Sequence, residues 1–231
     1  MSQEAGATMQ RRRFLAGTAA LAVAGPALAD GLPVPPGNSM AFRVLRNGAP
    51  IGEHHLNFSG NGDALVVDIN IALLVTFAGI PLFRYGAAVR EHWSGGVFQG
   101  LESQVNDNGT RLEVHARKVA AGYDVAGVNH NNPAKSYPEY TAPPNTMPLT
   151  YWNKAMLTGT LLNIQTAHCY PAVVNSPGWN NLPTAGQEVI TAQRFDLTGK
   201  LHLSVWYDGF SQWSGLAFHI SGNESYEKFI T

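Results

Sequence analysis

Glu91 is the residue whose type and setting in this 231-residue chain most invite chemistry. The sequence around it alternates, so Tyr85, Val89, Glu91 and Trp93 share one face of a strand and an acid points into an apolar layer. A carboxyl placed there pairs with a cation or takes up a proton through a raised pKa. Arg194, on a strand with Gln193 and Phe195, is the expected cation. Two roles stay open for such a pair: the polar end of a ligand cavity, or a buried ion pair that fixes strand register.

Other clusters offer less. His54 and His55 are adjacent, so on a strand they face opposite sides of the sheet and cannot chelate together. Glu53 and His55 share a face, but two ligands are not a metal site. Both histidines are therefore read as surface residues, and the polar Asn129-His130-Asn131-Asn132 run as a turn. His168-Cys169 invites a nucleophile-and-base reading, although sequence neighbours are seldom catalytic partners in space, and a lone cysteine is more often a small buried hydrophobe. The chain has no G-x-S-x-G elbow, H-E-x-x-H pair, Walker loop or G-x-G-x-x-G fingerprint. No catalytic residue, metal site or cofactor is assigned.

The elements that must position Glu91 read as strands. Period-two runs cover 40–46, 51–58, 65–75, 82–93, 97–105, 110–119, 123–128, 188–197, 200–207, 213–220 and 225–230. Turn residues separate them, most clearly Asn47-Gly48 and Asn108-Gly109, dipeptides that suit two-residue hairpins. The polar segment 129–147, with four prolines, reads as loop, and 148–159, with Pro at its start and Gly at its end, as one short helix. This pattern predicts an all-β fold: a single antiparallel β-barrel-like or strongly curved sheet of about ten strands. The apolar run from Ile71 to Phe83 fits a core strand, with a lid over a cavity or a membrane-touching tip as the alternatives.

Residues 1–29 read as a twin-arginine transport signal: Arg11-Arg12-Arg13-Phe14-Leu15, an apolar stretch too short to span a bilayer, then Ala27-Leu28-Ala29 with cleavage after Ala29. That predicts a periplasmic protein that meets the twin-arginine translocase and signal peptidase, with no transmembrane span once mature. Residues 30–39 form a Pro- and Gly-rich flexible leader, and 40–231 the β domain. The mature part keeps twelve basic and fifteen acidic residues, a mild acidity that argues against nucleic acid as partner. Cys169 is the single cysteine, so no internal disulfide staples the domain.

Several segments together resemble an uncharacterised family of exported bacterial proteins, domain of unknown function 6134. They are Phe42-Arg43-Val44, Asn47-Gly48, Ile51-Gly52, Glu91-His92-Trp93, Asn106-Asp107-Asn108-Gly109, Tyr151-Trp152-Asn153, Leu161-Leu162-Asn163-Ile164-Gln165-Thr166, Ala192-Gln193-Arg194-Phe195 with Gly199, and Trp206-Tyr207-Asp208. The departure is Ala167-His168-Cys169, where the family reads Thr-Gly at the end of its Asn-x-Gln motif. The resemblance implies a mostly antiparallel β fold and no activity, and it directs attention to Tyr151, Trp152 and Asn153 near a barrel mouth. The combined reading is a non-enzymatic binder of an apolar or amphipathic small ligand, with Glu91, Trp93, Arg194, Tyr151, Trp152 and Asn153 as ligand-binding candidates. The alternatives are an envelope enzyme using Glu91 with a histidine for acid-base chemistry, and an accessory protein that docks another envelope component through aromatics such as Trp179 or Trp213.

Overall fold

A computed structural model describes residues 31–61, 63–186, 188–220 and 222–230. The transport signal read in residues 1–29 lies outside the described residues. The chain is all-β, and thirteen strands join in one antiparallel sheet. In chain order they begin with β1 (Ser39–Arg46), β2 (Ala49–Asn61), β3 (Ala64–Phe77), β4 (Ile80–Ser94), β5 (Val97–Asp107), β6 (Thr110–Val119), β7 (Gly122–Asn129) and β8 (Tyr137–Ala142). Three short strands, β9 (Thr146–Pro148), β10 (Thr160–Leu162) and β11 (Cys169–Pro171), form a separate small sheet with one parallel pairing. The large sheet resumes with β12 (Val174–Pro183), β13 (Val189–Leu197), β14 (Leu203–Tyr207), β15 (Trp213–His219) and β16 (Asn223–Lys228).

The hairpins follow from local chemistry. Asn47-Gly48 and Asn108-Gly109 all take positive φ, between 49° and 95°, as a tight turn matched to strand twist requires. Alternation then sets the faces. Leu65, Val67 and Ile69 of β3 are buried on the same side as Ala87, Val89, Glu91 and Trp93 of β4. Leu56, Phe58, Phe98, Leu101, Val114 and Val125 continue that apolar layer on the neighbouring strands.

The strand order β12-β13-β14-β15-β16-β1-β2-β3-β4-β5-β6-β7-β8 places the first and last strands side by side in the middle. The two edges, β8 and β12, come from mid-chain and do not pair, so the sheet is not closed. The expected barrel is corrected accordingly: a sheet of this width curls, and the chain joining its two edges lies over the inner face. Leu149, Trp152, Met156, Leu161, Leu162 and Ala167 of that segment are buried in the core, with the Trp152 ring 5.2 Å from both Phe58 and Trp93.

Two further expectations change. The strand count rises because the alternation does not reveal β8 and β12, and their composition explains why. Edge strands tolerate proline, which cannot donate to a ladder, and these two contain Pro138, Pro177 and Pro183. The helix expected at 148–159 shrinks to one 3-10 turn, Lys154–Thr158, because the residues before it are drawn onto the sheet by side-chain hydrogen bonds. The leader also makes contacts: Leu32 and Val34 are half-buried against the core, and Gln212 donates to the Pro33 carbonyl at 3.1 Å.

Candidate functional site

Glu91 sits on the inner face of β4 with 0 % exposure. Thr150 Oγ1 donates to its Oε1 at 2.5 Å, and the indole N–H groups of Trp93 and Trp152 both donate to Oε2 at 2.9 Å. Trp93 belongs to the sheet, while Thr150 and Trp152 belong to the segment that crosses it, so one carboxyl ties the two layers together. Burial pushes the Glu91 carboxyl above its ordinary value of 4.5, and the hydrogen bonds from Thr150, Trp152 and Trp93 oppose that rise. No cation among the described residues pairs with it.

The expected partner lies elsewhere. Arg194 faces the outer side of β13, where it donates to Asp196 at 2.6 Å and to Ser204, with its guanidinium 5.5 Å from the Trp206 ring. Alternation explains the correction: Phe195 and Leu197 take the inner face of that strand, so Arg194 cannot. The outer-face groove beside it, about 920 Å³ and shallow, is lined by Asp196, His202, Ser204 and His219 among others.

Tyr151 and Asn153 part company with Trp152. Asn153 caps the 3-10 turn, its side-chain oxygen accepting from the Ala155 N–H at 3.0 Å. Tyr151 holds φ at +71°, a left-handed conformation costly for an aromatic residue, and the Tyr207 hydroxyl donates to its carbonyl at 2.7 Å. That kink turns the Tyr151 ring away from Glu91 and toward Trp213, 5.5 Å between centroids. Trp213, expected above as an exposed docking aromatic, is fully buried, whereas Trp179 is exposed.

Beside Trp213 lies a residue that sequence reasoning misplaces. His54 is 1 % exposed, not a surface histidine, and neither ring nitrogen has a hydrogen-bond partner among the described residues. Phe42, Trp213 and Tyr226 surround it, and burial pushes its pKa down from 6.5 to about 3. His55, on the opposite face, pairs with Glu53 at 2.7 Å. The signal for His54 is its place in the apolar alternation His54, Leu56, Phe58.

Past these residues the inner face opens. Ile71, Leu73, Val75, Phe83 and Tyr85 continue the apolar rows of β3 and β4 but are only half-buried, because the crossing segment does not reach over them. The result is a half-buried apolar stretch of the inner face, the trough. Its polar groups are phenols: burial, and then the Asp107 carboxylate, pushes Tyr85 up to about 12, and burial followed by the neighbouring phenols raises Tyr151 (through Tyr85) and Tyr226 (through Tyr151 and Tyr85). The Tyr151 and Tyr226 hydroxyls have no hydrogen-bond partner among the described residues. Tyr85 donates to Gln165 Oε1 at 3.4 Å, and Gln165 donates to Asp107 at 2.9 Å, which pins the crossing segment to the rim. Asn163 supports Gln165 by accepting from the N–H groups of Gln165 and Thr166. Ala167, where the resemblance puts glycine, sits at φ +62°, a conformation that favours glycine.

With this geometry established, comparison with known proteins assigns the family. Residues 42–227 match the family model described as Domain of unknown function (DUF6134), and the chain belongs to that family. The match runs from β1 to β16 and therefore includes the crossing segment, Glu91 and the trough. No curated protein and no solved structure matches the chain.

Glu91 and His54, both buried and titratable, each give a prediction. Glu91→Gln keeps an acceptor for the indole pair and turns an amide N–H to Thr150, whose hydroxyl then accepts instead of donating, so its stability should stay within about 1 kcal/mol of the parent at low pH. Glu91→Ala, which strands three buried donors, should cost about 3 kcal/mol or more. Since folding raises the Glu91 pKa, its contribution is complete below 4.5 and is lost as pH rises through the folded value, so the parent should lose stability relative to Glu91→Gln on going to alkaline pH. Urea unfolding across pH reads both, and parallel profiles for parent and Glu91→Gln would remove the raised pKa.

His54 works with the opposite sign. Its folded pKa is depressed, so the unfolded chain binds more protons between pH 6.5 and about 3, and stability falls as the solution is acidified through that window. His54→Leu should abolish this slope, with a gain over the parent of about 2 kcal/mol near pH 5. A variant as acid-sensitive as the parent would contradict the neutral, unpartnered state of the ring.

Proposed function

We propose that this member of the family is a non-enzymatic binder of an amphipathic small ligand. The apolar part lies along Ile71, Leu73, Val75 and Phe83, and the polar end meets the hydroxyls of Tyr85, Tyr151 and Tyr226. The observation that carries the reading is the half-buried continuation of the inner apolar face beyond the crossing segment, ending in three phenols of which Tyr151 and Tyr226 have no hydrogen-bond partner for their hydroxyls among the described residues. Uncovered apolar rows joined to a few convergent polar groups are what small-ligand sites are built from.

In this reading Glu91 is not a ligand group. It supports the site by holding Thr150 and Trp152 down, which positions Tyr151 between them at the edge of the trough. Acid-base chemistry at Glu91 would need the crossing segment to lift, because the carboxyl is sealed from solvent and both its oxygens are engaged. Arg194 on the outer face plays no part in the ligand site. The proposal keeps the twin-arginine signal in residues 1–29, cleavage after Ala29 and a periplasmic location, where an amphipathic ligand would be met after export.

Calorimetric titration with straight-chain fatty acids and alkyl detergents tests the site. Saturable binding of one ligand per chain is expected. Leu73→Asp, which puts a charge in the apolar rows, should weaken it by about tenfold or more, whereas Phe77→Ser, outside the trough, should leave it unchanged. Absence of saturable binding, or equal affinity in Leu73→Asp, would sink the reading.

A further inference from the structure

The β3–β4 hairpin is longer than its neighbours. Pairing of β3 with β2 stops at Leu73, and on the β4 side the last backbone bonds to a neighbour are those of Arg84 with Asn108, so residues 74–83 pair in the ladder only with one another and with Arg84 and project about 13 Å beyond the sheet. An isolated two-stranded ribbon is marginal in water. This one is also apolar at its tip: Phe77 is 73 % exposed, Ile80 64 %, Leu82 60 % and Leu74 43 %. Ile220, in the β15–β16 turn at the same end of the sheet, is 76 % exposed.

Charge is distributed unequally between the two ends. Among the described residues, the loops at the end carrying the tip hold Lys135 and Lys200 and no carboxylate, while the loops at the opposite end hold Asp63, Glu188 and Asp208 and no lysine or arginine. Arg84 and Arg111 flank the base of the ribbon. Both, like the two lysines, are exposed and without an ion-pair partner among the described residues. Three carboxylates near that end are already engaged, Glu224 with Arg46 at 2.8 Å, Asp196 with Arg194 at 2.6 Å and Asp107 with the Gln165 amide.

We infer that the hairpin tip docks onto an anionic lipid bilayer, with Phe77, Ile80 and Leu82 entering the interface and Arg84, Arg111, Lys135 and Lys200 meeting the headgroups. An apolar tip with unpaired cations at the same end of the sheet fits that surface: burying the tip gains the apolar contribution, and each cation that reaches the headgroups adds to binding where the lipid is negative. The loops of the opposite end are acidic but have Lys118 and Lys228 at the strand ends beside them, so the apolar tip together with its flanking cations sets the docked orientation. This goes beyond the ligand reading and does not depend on what the trough holds.

The test uses the full chain carrying Phe77→Trp, with Val97→Trp at the opposite end as control, mixed with vesicles of phosphatidylcholine alone or with phosphatidylglycerol. On the anionic vesicles Phe77→Trp should shift its emission to the blue and be quenched by brominated lipid, and Val97→Trp should show neither effect beyond the parent. Adding Lys135→Gln and Lys200→Gln should reduce partitioning by roughly tenfold or more, and high salt should act in the same direction. The site-specific quenching separates docking by the tip from any attachment through residues 1–30. Equal quenching at both ends, or none at the tip, overturns the inference. So does a lipid-free dimer that Phe77→Ser dissolves when the tip is not quenched, since the tip would then serve a protein contact. Fatty-acid binding by Phe77→Ser is measured separately, so failure here leaves the trough reading intact, and the reverse also holds.

Discussion

Three donors converge on the carboxyl of Glu91, one from the sheet and two from the segment that lies across it. An indole N–H can only donate, so two buried tryptophans need an acceptor in the core, and one oxygen of Glu91 serves both. If that acceptor were lost, buried donors would remain on both layers at once, a cost comparable to a large share of a domain's net stability. The remaining architecture can be read outward from this contact.

An open sheet of thirteen strands has two edges and an apolar inner face to cover. Here the cover is the piece of chain between the edge strands themselves, held down by Glu91 at its centre and by the Gln165–Asp107 bond at the rim. The edges carry proline, which limits pairing with other chains. The arrangement leaves the far part of β3 and β4 uncovered, so the trough and the projecting hairpin have one origin: two strands longer than the layer that packs on them. The kink at Tyr151 belongs to the same geometry. A left-handed residue between Thr150 and Trp152 lets its neighbours reach Glu91 while its own ring lines the trough.

The core also holds two titratable groups with opposite pH responses. Glu91 is more favourable protonated and His54 more favourable neutral, so acid assists one and disfavours the other. Neither has an opposite charge as partner among the described residues. Desolvation is the leading cause in both cases, which is why their shifts run in opposite directions.

Much of this fold is legible in the sequence. Period-two alternation assigns most strands and the inner face of β4, and Asn-Gly pairs place the hairpin turns, because both rules depend on residues a few positions apart. The same logic marks Glu91 as an acid among apolar neighbours. It fails at the proline-bearing edges, whose pairing pattern relaxes on one side, and at His54, where two adjacent histidines look alike although one faces the core. The partner of Glu91 is beyond its reach. The donors on the crossing segment come from positions 59 and 61 residues further along, where the chain has no regular period. Sequence alone determined that this is an antiparallel β protein with a carboxyl turned inward. Only the tertiary structure decided that the carboxyl meets indoles and a hydroxyl instead of Arg194, because burial of a polar group is settled by whichever distant donors packing brings within hydrogen-bond distance.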